Sequence, residues 1–512
     1  MDAIRKGPMD RRRFLELAAA GTVASLGDLR FLFQLPPVSA TEARLDSRLV
    51  RLHDGIEPLV RLLEDTPRDR LLEELGTRIR GGLSYRDVLA SLLLAGVRNI
   101  QPRPVGFKFH AVLVVNSAHL ASLASPETDR WLPIFWAVDQ FKSSQAADVR
   151  AGDWSLGPVD ETAVPPAHRA RQAFVAAMDD WDEAAADAAV TGLVRTAPAH
   201  EIFEIFARYG ARDFREIGHK AIYVANGFRT LEAIGWHHAE PVLRSLAYAL
   251  LDRDGSGENP ARADLPADRP HRENVRLVSR IRGDWLDGHP SADGAGELLR
   301  SLRDASPQDA SARTIELLDR RVSPQSIFDA LFAASAELMM RAPGILSLHA
   351  TTFTNAVHYA WQRCRDDETR RLLLLQNASF LPLFRGSGMS RGVELDTLEP
   401  ARLEQSGAAA IEEIFATVSV DPLLASRKML AFLAEHPDPR PLADTARRLI
   451  FLKGVDSHDY KYSSAVLEDH GVMGRPWGSR CLAAAAFNFK GTADPDNRLV
   501  ERARAALKLG SG

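Results

Sequence analysis

Four histidines share a spacing that ordinary packing does not require. His349 stands 239 residues after His110, and His458 stands 239 residues after His219. The same offset carries Ala111 onto Ala350, Asn116 onto Asn355, His119 onto His358 and Ala121 onto Ala360, with no gap. Neutral imidazoles are strong ligands for first-row transition metals, and several converging on one point make a metal site. A helix turns about 100° per residue, which sets His110 and His119 roughly 180° apart, and His349 and His358 likewise. Only one member of each pair can then face a common ion. His110 and His349, flanked by Phe109 and Ala111 and by Leu348 and Ala350, are the expected inward members. His119 and His358 are expected to support or to pack. The competing reading is coincidence among 15 histidines, since His219 and His458 match only at the histidine itself.

A lysine joins the set. His458 and Lys461 are three apart and share a helix face. Lys461 is either an ordinary solvated charge or a buried amine with a lowered pKa. A neutral amine reacts with carbon dioxide to give a carbamate, an oxygen donor comparable to a carboxylate. Tyr223, one turn after His219, is a candidate to hydrogen-bond a substrate. His238, in the run Trp236-His237-His238-Ala239-Glu240, is a second candidate catalytic group, or else a turn packing on Trp236. Glu201 and Glu204 lack the ExxH partner of di-iron bundles. No HExxH, GxSxG, Walker loop or strand-borne GxGxxG occurs.

With these residues in place, the pattern resembles the questin-oxidase-like family of fungal aromatic polyketide oxygenases. The resemblance runs from Gly106 to Tyr462 and rests on short matches: the His110 helix, Gly218-His219, His349-Ala350-Thr351-Thr352, and His458-Asp459-Tyr460-Lys461. It implies a largely helical fold and a mononuclear non-heme iron site. His110, His219, His349 and His458 would be the nitrogen ligands, and Lys461, as its carbamate, the oxygen ligand. The implied activity is a metal-dependent oxidoreductase, an Fe(II) oxygenase acting with dioxygen on an aromatic or hydrophobic small molecule. Phe107, Phe109, Trp236 and Phe353 would line its pocket. Two alternatives remain open at this point: a metal-dependent hydrolase, since a lysine carbamate also suits hydrolytic sites, and a non-catalytic helical repeat scaffold. The twin-arginine leader and the regular offset depart from what the family leads one to expect.

The elements that must position these groups are helical. Segments such as 50–63, 68–79, 170–189 and 324–341 are rich in Ala, Leu, Glu and Arg, with apolar residues three and four apart. Ser84 and Ser323-Pro324 are helix starts, and the β-branched run Val112–Val115 reads as buried helix. The expected fold is all-α, two pseudo-repeated halves around one central buried metal site. The halves, 41–251 and 275–512, are expected to form one domain joined by the polar linker or long loop 252–274; Gly288–Gly296 is expected to be a loop. Residues 1–40 read as a twin-arginine signal, with Arg11-Arg12-Arg13-Phe14-Leu15, a modest apolar stretch and Val38-Ser39-Ala40 as cleavage site. That predicts a partner in the twin-arginine export machinery and a periplasmic location. A net charge of -4 offers no general basic surface for nucleic acid, and no stretch of the mature chain is long and apolar enough to span a membrane. Cys364 and Cys481 exclude a CxxC site and leave room for one disulfide.

Overall fold

The computed structural model describes residues 50–507, apart from 51, 54, 254–256, 386–391 and 437. The expected signal segment lies outside these residues. The described chain is all-α, with no strand and only an isolated bridge between His289 and Val322. Residues from Val50 onward form one compact unit. No described helix is long and apolar enough to cross a membrane.

At its centre four helices pack in a closed ring. Val115–Ala124 packs on His219–Ile234, which packs on Ile345–Arg363; that helix packs on Ser457–Asp469, which returns to Val115–Ala124. Positions related by the offset of 239 therefore lie on opposite corners of the ring. The ring is interior: every residue from Ser347 to Ala360 is buried, which an all-round apolar or hydrogen-bonded helix permits. Behind it, Pro324–Arg341 packs on Ile345–Arg363, and Tyr85–Asn99 and Leu132–Ala151 pack on one another.

Local chemistry sets the helix starts. The Ser84 hydroxyl accepts from the Asp87 N–H, and Ser323 accepts from Ser326 ahead of Pro324. Asp456 caps Ser457–Asp469 in a reciprocal capping box with Asp459. Val112–Val115 is helical with a break at Val114, as expected of a buried helix.

Two expected loops differ. The segment 252–274 ends in the helix Arg269–Leu277, and Asp268 and Asn274 are buried, so its C-terminal part is packed structure rather than linker. Asn274 donates to Gln376 and Ser379 and accepts from Ser311, which explains a polar residue in the interior. Within 288–296, Ser291 caps a helix that begins at Ala292. Cys364 and Cys481 are both buried free thiols, so no disulfide joins them. Burial pushes the Cys364 thiol up to about 12, which makes it unreactive.

Candidate metal centre

Four helix starts deliver the four histidines to one place. His110 follows a 3-10 turn at Phe107–Phe109; His219 is the first residue of its helix, His349 the fifth and His458 the second. Ring centroids are 4.9 Å apart for His110–His219, 4.2 Å for His219–His349, 5.2 Å for His349–His458 and 4.5 Å for His458–His110. The ligating atoms of His110, His349 and His458 all lie within 4.8 Å of one another. The Nε2 atoms of His110 and His219 are 2.9 Å apart.

Tautomers follow from the outer hydrogen bonds. The Nδ1 of His110 meets the Phe107 carbonyl at 2.9 Å, that of His219 meets Glu216 at 2.6 Å, and that of His349 meets Ile345 at 2.7 Å. A carbonyl oxygen only accepts, so each Nδ1 carries the proton and each Nε2 presents a lone pair inward. Burial, aided by the neighbouring imidazoles and Lys461, holds all three pKa values far below the ordinary histidine range, so these rings are neutral. Two neutral imidazoles in this tautomer cannot hydrogen-bond across the 2.9 Å gap between their Nε2 atoms. The Nε2 atoms of His349 and His458 are likewise buried without a partner. Asp456 Oδ1 lies 3.4 Å from His458 Nδ1 and orients that ring.

A cation suits this arrangement. Two nitrogens bound at about 2.1 Å and at right angles stand about 3.0 Å apart, which is close to the separation of the His110 and His219 nitrogens. Outer-shell oxygens on Nδ1 are the usual support of metal-ligating histidines. The donor chemistry fits a transition metal and gives no hard-cation cage.

Lys461 completes the cluster. It is 3% exposed, and its Nζ has no hydrogen-bond partner among the described residues. Burial pulls its pKa down to about 7, opposed weakly by Asp456. It also lines a narrow polar cleft within the four-helix ring, with Asn116, Asn226 and Asn355. The cleft closes on an ion pair between Arg229 and Glu468 at 2.7 Å. Arg229 and Glu468 are themselves 239 apart, a correspondence that histidines alone did not reveal but that the same offset, applied to charges, would have found.

Strained backbone aims two of the rings. Phe107 has φ 45°, Glu216 φ 53° and Ile217 φ 45°, the left-handed region in which bulky residues are rare. Such residues cost about 1–3 kcal/mol each and cluster at functional sites. Here they present the Phe107 and Glu216 carbonyls to His110 and His219. Gly218, at φ 84°, ends the second strained run, and a Cβ there would stand 2.7 Å from the Phe353 ring. Gly218→Ala is therefore expected to displace His219, lowering metal content at least tenfold while helicity by circular dichroism is retained.

The other expected residues fall elsewhere. Tyr223 is buried, its hydroxyl donates to Ser245 at 3.0 Å, and its ring packs on Phe109 at 4.9 Å, so it supports the helix interface rather than a substrate. His238 lies beyond the far end of the helix His219–Ile234, which at 1.5 Å per residue is about 24 Å long. It stands beside His53 and His237, with burial taking its pKa to about 4. Neither is placed to act at the histidine cluster. Trp236 packs on Phe228 and Phe353 on Phe380 and Phe384; of the expected pocket aromatics Phe107 is exposed, Trp236 half-buried, and Phe109 and Phe353 buried. Exposed apolar residues do precede three of the cluster histidines in sequence, however. Phe107, Ile345, Leu346 and Val455 are 76%, 53%, 40% and 65% exposed and lie three or four residues before a cluster histidine. His110 and His458 are only half-buried, so the cluster opens to solvent.

His119 and His358 lie off the cluster, as helical angles require. His119 Nδ1 meets the Tyr85 hydroxyl at 3.0 Å, and His358 packs among Phe328, Phe332 and Trp361. Burial lowers the His358 pKa to about 4. The unfolded residue takes a proton below about 6.5 while the folded one stays neutral to about 4, so stability falls as pH drops through that window. Removing the titration by His358→Phe is expected to reduce the stability lost between pH 7 and pH 5 by about 2 kcal/mol, read by urea unfolding at both pH values. An unchanged acid slope would show His358 protonating freely in the fold.

Set against protein-family models, curated proteins and solved structures, the chain matches none.

Proposed function

We propose that this chain is a mononuclear metalloprotein whose ion is held by His110, His219, His349 and His458, and that it is an oxygenase using Fe(II) and dioxygen. The observation carrying the metal reading is the set of inward Nε2 lone pairs, fixed by Nδ1 donation to backbone carbonyls and without any proton to share. A metal-free scaffold would leave that repulsion uncompensated. Lys461 is proposed as the fifth donor: its neutral amine forms an N–C bond to carbon dioxide, releases one proton and becomes a carbamate. The lowered pKa and the empty hydrogen-bonding shell of Nζ support this.

These four histidines and the Lys461 carbamate would hold the ion, and bound ferrous iron would supply redox chemistry with dioxygen. The chain's own residues do the rest. The Phe107, Glu216 and Ile345 carbonyls fix the rings. The apolar rim of Phe107, Ile345, Leu346 and Val455 seats an aromatic or hydrophobic small molecule over the opening. Export by the twin-arginine route, which carries folded and cofactor-loaded proteins, is proposed from residues 1–40.

Protein reconstituted with Fe(II) without oxygen is expected to consume dioxygen when given an electron-rich aromatic substrate, and Phe107→Ser to raise KM more than it lowers kcat. Substrate turnover with Zn(II) and no oxygen uptake would make the site hydrolytic instead.

A further inference from the structure

A second cleft lies at the far end of the helix that begins beside His458. At the C-terminal end of the helix Ser457–Asp469, a cleft of about 410 Å³ lies between His470–Arg480 and the helix Pro422–Glu435. That volume is within the range of small-molecule pockets. One wall is apolar, made by Leu430, Leu433 and Met473; the other carries His470, Arg475 and Arg480. No Asp or Glu lines it, in a chain of net charge -4.

The cationic wall is built rather than incidental. Arg480 Nη1 donates to the Leu395 and Leu398 carbonyls at 2.7 and 3.1 Å, which fixes its guanidinium at the cleft. The Gly474 N–H donates to both oxygens of buried Asp329, at 3.2 and 3.3 Å, and holds the loop that carries Arg475. His470 Nδ1 is buried with no partner, and Gly478 packs so close that a Cβ would stand 3.3 Å from it. Arg475 is exposed at the rim.

We propose that this cleft binds an amphipathic anion, a single acyl or aryl chain ending in a carboxylate or phosphate. The chain lies on Leu430, Leu433 and Met473, and the head group meets the two guanidinium groups. The pairing of one anchored guanidinium, Arg480, and a second at the rim, Arg475, with adjoining apolar side chains sets this class apart from free inorganic anions and from neutral lipids. The inference does not depend on the metal reading.

Titration of the full chain with decanoate, decyl phosphate, decanol and inorganic phosphate by calorimetry tests it. One equivalent of decanoate or decyl phosphate is expected to bind at least tenfold more tightly than decanol or phosphate, and whichever of the two binds more tightly names the head group. Arg475→Ala is expected to weaken that binding at least tenfold, and Ala434→Trp, at an exposed position on the cleft, to abolish it; both should leave the circular dichroism spectrum unchanged. No binding in the millimolar range, equal binding of decanol, equal binding of inorganic phosphate, or binding indifferent to both substitutions would overturn the proposal. The comparison of ligands on the unaltered protein decides the matter even if a variant misfolds.

Discussion

Replacing Lys461 by methionine is expected to make the metal-free protein more stable, by about 4 kcal/mol at pH 7. A lysine pulled from 10.5 to about 7 by burial holds its proton in the unfolded chain up to the higher value but in the fold only to the lower. Each unit of that difference corresponds to about 1.4 kcal/mol. The unfolded chain binds more protons between pH 7 and 10.5, so stability rises with pH across that window and the penalty is full below it. The gain from Lys461→Met is therefore greatest at pH 7 and below, and fades toward pH 10.5. Methionine suits the space because it is flexible and apolar. With metal and carbon dioxide present the sign is expected to reverse, because Lys461 is proposed to be a ligand as its carbamate and its loss would then cost both metal and stability. Chemical denaturation of apo and loaded protein across pH 6 to 10.5 checks both halves. A variant less stable than the parent in the apo state, with no pH dependence, would show that Lys461 is solvated or paired.

The second large effect separates the two histidines of one helix. His349→Ala is expected to lower metal affinity by at least two orders of magnitude with helicity retained, because it removes a nitrogen that faces the other cluster histidines. His358→Ala, nine residues on, is expected to do the opposite. It leaves metal content intact and destabilises the fold by about 2–4 kcal/mol, since the ring fills space among Phe328, Phe332 and Trp361. Metal content and urea midpoints of the two variants check the pair. If His358→Ala lost the metal while His349→Ala kept it, the assignment of the inward face would be wrong.

How much of this was legible without coordinates depended on the kind of signal. Helices announced themselves through apolar spacing and through caps such as Ser84 and Ser323, which are local. The inward histidines were legible because the offset of 239 and the helical angle are both arithmetic. Tyr223 and His238 misled because nearness in sequence says nothing about the far end of a helix or about a partner such as Ser245 on another. The elements that fix the tautomers were invisible: the acceptors are backbone carbonyls of Phe107, Glu216 and Ile345, which no residue type encodes. The exposed apolar residues just before the histidines were illegible for a related reason, since exposure of Ile345 or Val455 depends on what fails to pack over them. The helix within 252–274 was hidden by polar residues whose partners, Gln376 and Ser379, lie about 100 positions away.

Elemental analysis of the protein purified without oxygen tests the central claim most directly. One equivalent of a transition metal per chain is expected, iron when iron is supplied, and less than a tenth of that in His349→Ala with helicity retained. A folded parent protein that holds no transition metal, even after reconstitution with Fe(II), Mn(II), Cu(II) and Zn(II) in turn, would contradict it.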